Sequence, residues 1–117
     1  MPAQTQSRTE NQISFRLAKD ELETIVPALT ERWGEPRARA ISRALQAAWT
    51  VESLRRQGFD IPQLQIDDGD GGKSRPISFR PSTADMDIIS DLMRWWDGDL
   101  ATVIGRALRL AYQDAIK

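Results

Sequence analysis

Two arginines at matching places carry the most usable chemistry in this chain. Arg16 closes the tetrapeptide Ile13-Ser14-Phe15-Arg16, and Arg80 closes the same four residues again, Ile77-Ser78-Phe79-Arg80, 64 positions later. In each copy Ile and Phe alternate with Ser and Arg, so a strand places the apolar pair on one side and the polar pair on the other. With Gln12 ahead of the first copy, the polar side is a row of hydrogen-bonding groups: a guanidinium offers a planar fork of donors, a hydroxyl donates or accepts, and an amide does both. That is the chemistry of recognition. Bond-making chemistry has few tools here, because the chain contains no cysteine and no histidine. Their absence removes thiol nucleophiles, disulfides, most transition-metal sites and the usual general base. Carboxylates remain, but no pair of them stands in a catalytic motif, so the composition predicts no enzyme and no cofactor.

Arginines on a short strand are useful only if the strand is held, and the surrounding sequence supplies the holders. The alternation of Ile13, Phe15 and Leu17 against Gln12, Ser14 and Arg16 predicts a half-buried strand. Leu22, Ile25, Val26, Leu29 and Trp33 follow at helical spacing and form one apolar stripe, kinked by Pro27, which removes a backbone donor. Gly34 is placed to end that helix and Pro36 to begin the next. Ile41, Ala44, Leu45 and Ala48, extended by Val51 and Leu54, line a second helix that Gly58 stops. The second copy repeats the plan. Pro81 ends its strand, Ser82 or Thr83 caps a helix with a stripe of Met86, Ile89, Met93 and Trp96, and Asp99 or Thr102 caps a last helix burying Ile104, Ala107, Leu108, Ala111 and Ala115. Within the second helices, Ile41-Ser42-Arg43-Ala44-Leu45 answers Ile104-Gly105-Arg106-Ala107-Leu108 at an offset of 63. The change from 64 to 63 places a one-residue difference in the turn between the helices, where length is least constrained.

At 117 residues the chain is the size of one domain, too short for each copy to bury a core alone. The expected organisation is a polar arm at 1–11, a first unit at 12–58, an acidic Gly/Asp linker at 59–76 and a second unit at 77–117. The linker run Asp67-Asp68-Gly69-Asp70-Gly71-Gly72 starts like a calcium loop, but no glutamate stands at the closing position. No apolar run approaches the roughly 18–20 residues of a membrane span, so a cytoplasmic protein without membrane contact is expected. The net charge is −1, unevenly spread: Met1 to Gly58 carries nine basic and seven acidic residues, Phe59 to Pro76 two and four, and Ile77 to Lys117 five and six.

A lone strand of this length leaves its backbone groups unpaired and its apolar face uncovered, so the two copies must pair. The prediction is a mainly helical protein with a short two-stranded antiparallel ribbon, Gln12 to Leu17 against Pro76 to Arg80, resting on four helices. An alternating strand ending in Arg, a short helix, a Gly turn and a helix containing Ile-x-Arg-Ala-Leu resembles the ribbon-helix-helix family of DNA-binding proteins, the group of the Arc, MetJ and CopG repressors. The pattern stands in Ile13 to Trp49 and again in Ile77 to Tyr112. Family members are usually homodimers with one ribbon strand per subunit. The resemblance therefore implies a single-chain pseudo-dimer, two ribbon-helix-helix repeats sharing one core, similar in architecture to tandem accessory proteins of conjugative DNA transfer.

The resemblance further implies double-stranded DNA as the partner, with the ribbon in the major groove. By position the base readers are Gln12, Ser14 and Arg16 from the first strand and Ser78 and Arg80 from the second. Arg pairs with guanine through two hydrogen bonds and Gln with adenine through its amide. Phosphate is expected at the starts of the second helices, from Arg37 and Arg39 and from Thr102, with Lys73 and Arg75 ahead of the second strand adding backbone contacts. Glu35 and Asp99 oppose this at the two helix starts, and Gln12 matches Pro76, so unlike half-sites are expected. The implied role is a transcriptional repressor or an accessory factor in plasmid or conjugative transfer. The other reading is a protein-binding module that kept the fold and sequesters or bridges another regulator, to which the near-zero charge and the acidic linker point. Trp33 and Trp96 are expected in the core, and Trp49, aligned with Tyr112, at its edge. Trp95, which has no aromatic counterpart, is expected to mark an exposed surface for a protein partner or a second copy.

Overall fold

The computed structural model describes residues 12–61 and 72–116. The expected arm at 1–11 and most of the acidic linker, with its calcium-like run, lie outside the described residues. Strand β1 (Ile13–Phe15) leads into a helical stretch that begins as a π-helical turn (Glu21–Ile25) and continues as α1 (Val26–Trp33). Helix α2 (Arg37–Arg56), strand β2 (Ile77–Phe79), α3 (Thr83–Trp96) and α4 (Leu100–Ile116) complete the fold. The protein is mainly helical with one two-stranded antiparallel sheet, as the alternating and helical patterns predict.

The two identical tripeptides pair with each other, Ile13 with Phe79, Ser14 with Ser78 and Phe15 with Ile77. Phe15, Ile77 and Phe79 are buried, Ile13 is half-buried, and both serines face out. Beyond Arg16 the ribbon continues irregularly: Ala18 bridges to Lys73, and Ser74 donates its backbone N–H to Leu17 O at 2.9 Å. Three steps from Phe15 to Ala18 face four from Ile77 to Lys73, so one residue is extra on the second strand. The irregularity falls beside Pro76, which has no N–H to give the ladder.

Under the ribbon lies a single apolar cluster drawn from every helix, with α2 and α4 packed directly together. Leu29 and Leu92, Ile41 and Ile104, Ala44 and Ala107, Leu45 and Leu108, and Ala48 and Ala111 are all buried. Every pair stands at the sequence's own offset of 63. The alanines let the two long helices approach closely, while the leucines and isoleucines fill the space around them. Val51 departs from expectation. It is 42 % exposed, because α2 runs on past the end of the core.

The one-residue difference between the copies is not in the inter-helix turn. Residues 34–36 and 97–99 are turns of equal length. The extra residue sits in the first helical stretch, where Val26 N–H bonds to Glu21 O, five residues back. Such a turn takes one more residue than an α-helical turn. Pro27 explains its position, because a proline cannot give the usual bond four residues back and its ring crowds that carbonyl. The turn after α1 uses Gly34 in the left-handed region (φ 66°), whereas after α3 the left-handed residue is Asp97 (φ 55°), one before Gly98.

Candidate nucleic-acid interface

The ribbon's outer face presents all five expected reader residues to solvent: Gln12, Ser14, Arg16, Ser78 and Arg80 are exposed. At its centre the Ser14 and Ser78 hydroxyls lie 3.5 Å apart. Continuing the register by one residue sets Gln12 opposite Arg80 at one end and Arg16 opposite Pro76 at the other. The two ends thus differ in chemistry, an amide beside a guanidinium against a guanidinium alone. Arg16 donates from Nη1 to Ser74 O at 3.3 Å, a long and exposed bond that holds the side chain only weakly.

The helix starts differ as well. α2 begins after Pro36 with no side chain capping it, and Arg37 and Arg39 are exposed in its first turn. Its free N–H groups and the positive end of the helix dipole are therefore open to an anion. The opposing Glu35 lies with Oε1 3.8 Å from Arg43 Nη1, and the Arg43 guanidinium stands 4.5 Å over the Trp33 ring. Lys19, Arg37, Lys73 and Arg75 line one open groove with Glu23, Glu31 and Glu35. Lys73 and Arg75 come to this groove because the Ala18 to Lys73 bridge carries their segment alongside the first helical stretch. Lys19 joins them without any motif in the sequence to announce it.

At the start of α4 one of the donors is already used. Thr102 N–H bonds to Asp99 Oδ1 at 2.9 Å. That backbone hydrogen bond is the main reason the Asp99 carboxyl titrates below its ordinary value, with a smaller pull from Lys73. Thr102 is half-buried there. A depressed carboxylate pKa stabilises the fold above the ordinary value, and the contribution disappears as pH falls through the folded-state value. Asp99→Ala is therefore expected to lower stability by about 1 kcal/mol at neutral pH. In urea titrations the gap from wild type should narrow as pH is taken below about 4. A gap that stays constant down to pH 2 would mean the carboxylate is not the cap.

Beside the interface stand ionic contacts that the sequence patterns do not disclose. Glu21 and Asp85 are buried at 6 % and 4 % exposure. Glu21 accepts from Ala18 N at 2.8 Å and from Arg109 Nε at 2.9 Å, and Arg109 also donates to both oxygens of Asp20. Burial alone would lower the Arg109 pKa, but the hydrogen bonds to Asp20 and Glu21 outweigh it and hold the pKa above its usual value. Asp85 completes a capping box with Ser82, whose side chain accepts from Asp85 N at 3.1 Å. The Ser-x-x-Asp spacing of Ser82 and Asp85 is the one available signal for this cluster.

Trp95 is not the exposed surface expected of it. Its half-buried ring stacks against Trp49 with centroids 6.3 Å apart, and the Arg56 guanidinium lies 4.8 Å over it. Trp49 satisfies its own Nε1 by donating to Asp91 at 2.9 Å. Among the described residues no helix is long and apolar enough to cross a membrane. Among them also no three His, Cys, Asp or Glu side chains come together to hold a metal ion.

Comparison with family models, curated proteins and solved structures gives no match.

Proposed function

We propose that this chain is a tandem ribbon-helix-helix protein whose two repeats share one core, and that it binds double-stranded DNA by laying the ribbon's outer face in the major groove. The observation that carries the reading is the ribbon itself. Two identical Ser-x-Arg segments pair antiparallel about Ser14 and Ser78, with every polar side chain outward. Such a ribbon fits the major groove, and Arg, Gln and Ser have the donors and acceptors that base edges require. Around it, the uncapped start of α2 with Arg37, Arg39, Lys19, Lys73 and Arg75 supports phosphate contact on the first repeat's side. The start of α4, occupied by Asp99, supports a weaker backbone contact there. The DNA site then has unlike halves. The protein would act as a repressor by occluding a promoter, or as an accessory factor at a transfer origin.

Recovery of bound fragments from sheared source-genome DNA tests this directly. Wild type should enrich a short site with unlike halves, and the Arg16→Ala, Arg80→Ala double variant should not. The competing reading, a module that binds another protein through the same fold, is favoured by the acid closing the second helix start. It predicts no enrichment, and a partner affinity nearly indifferent to salt, whereas phosphate contacts weaken steeply as salt rises.

A further inference from the structure

We propose that two unlike contacts between the halves of this chain make each half selective for the other over a copy of itself. The partner that each half's helical surface fits is the opposite half. The inference rests on the tandem reading of the fold but not on DNA binding.

The contacts occupy matching places. Glu21 and Asp85 are aligned at an offset of 64, and the residues they meet on the opposite half's long helix, Gly105 and Ser42, are aligned at 63. The longer acid meets the residue with no side chain. A Cβ built on Gly105 would stand 2.6 Å from Glu21 Oε2 and 2.8 Å from its carboxyl carbon, closer than such atoms approach. The shorter acid meets a hydroxyl that reaches it, Ser42 Oγ lying 2.9 and 3.1 Å from the two Asp85 oxygens. Glycine within a helix is otherwise unfavourable, so the space it leaves at 105 is accounted for by the carboxylate that fills it.

Exchanging partners breaks both arrangements. A first half paired with its own copy sets Glu21 against Ser42, whose side chain enters the space the carboxylate needs, and sets Gln46 where Arg109 stood. A second half paired with its own copy sets Asp85 against Gly105, which supplies no hydroxyl and leaves the space empty; Arg109 then faces this shorter acid, with Ala84 where Asp20 stood. The first self-pairing thus leaves a buried carboxylate crowded and without its arginine, and the second leaves a gap beside a buried carboxylate and an arginine without one of its two acids, faults that cost more inside than at the surface. Discrimination of this kind comes from the penalty on the wrong partner as much as from the fit of the right one.

The test uses the whole chain with a protease site inserted within 62–71, cut once so that both pieces are present in equal amounts. Ser14→Cys provides the reporter, since the chain has no cysteine of its own. The introduced thiol faces Ser78 when unlike halves pair, and faces a second such thiol only when two first halves pair. After unfolding in urea, refolding and oxidation, unlike pairs should exceed self-pairs by at least about tenfold on non-reducing gels. Adding Glu21→Asp with Gly105→Ser gives every pairing the same Asp and Ser contact, and the disulfide-linked product should rise toward its random share, held short of it by the Asp20 to Arg109 contact that unlike halves alone make. A random share without those changes, or no rise with them, overturns the proposal. A second measurement on the uncut chain decides the matter even if the cut pieces do not refold. Gly105→Ser alone should lower the melting temperature by about 8 °C, and Glu21→Asp in the same chain should restore at least half of the loss. Losses that simply add would overturn the proposal whatever the protein does with DNA.

Discussion

Replacing Arg109 with alanine is expected to cost about 3–5 kcal/mol of folding stability, read as a shift of the urea midpoint. The reason lies in what is left behind. Arg109 is 14 % exposed at its side chain and Glu21 7 %, so removing the guanidinium strands a buried carboxylate that keeps the Ala18 N–H as a donor but loses its charged partner. The attraction between the two charges is not the measure of this cost, because burying both was itself unfavourable. Two further variants separate the causes. Glu21→Gln with Arg109→Met removes both charges while keeping an acceptor for Ala18 and apolar volume near Arg109's stem, and should recover most of the stability. Arg109→Lys keeps the charge but cannot reach Glu21 and Asp20 with one planar fork, so it should fall between. If the double variant proves as unstable as Arg109→Ala, the deficit comes from packing around the Arg109 stem rather than from the stranded charge.

The elements that carry this cluster were readable in the sequence, but the cluster was not. A period of two in Ile13 to Leu17 and a period near 3.6 in each helix leave little freedom in fold class, because one face of each element is apolar and must be covered. The repeated tetrapeptide went further and named the strand's partner, since the two copies meet at Ser14 and Ser78 in register. Glu21, Asp85, Ser42, Gly105 and Arg109 belong to four separate elements, and nothing local in the sequence says that an acid in the first turn of a helix is buried. An acid there ordinarily caps or faces water. Its burial follows from how the long helices cross beneath it, which is a tertiary fact.

The location of the extra residue shows the same boundary from another side. Two offsets, 64 and 63, were visible in the letters, but their junction could lie anywhere between Arg16 and Ile41. Turns tolerate length change cheaply and so drew the expectation. The inter-helix turns prove equal, and Pro27 draws the insertion into the helix, where a π-helical turn accommodates a residue that cannot donate. Trp95 departed from expectation for a related reason. A single aromatic without a counterpart reads as a surface feature until the neighbours that cover it, Trp49 and Arg56, are brought in from α2.

If the ribbon reads bases, Arg16→Ala with Arg80→Ala should weaken binding to the selected site by about 2–6 kcal/mol, roughly 30-fold to 10⁴-fold, at 1–3 kcal/mol for each bidentate arginine. The discriminating observation is which DNA feels the change. Base contacts carry sequence information and phosphate contacts do not. Affinity for unrelated DNA should therefore change far less, and the slope of log affinity against log salt should stay close to wild type. Arg37→Ala with Lys73→Ala should behave the opposite way. Those residues line the groove beside the uncapped start of α2, so removing them should weaken all sequences alike and make the salt slope shallower by about one for each phosphate no longer neutralised. The two ribbon arginines should also be unequal. Arg80 stands opposite Gln12, which can read the neighbouring base, while Arg16 stands opposite Pro76, which can read none, so Gln12→Ala should relax selection at the Arg80 end alone. Equal weakening on selected and unrelated DNA with a shallower salt slope would make Arg16 and Arg80 phosphate ligands, and no weakening at all would remove the ribbon from the reading of DNA.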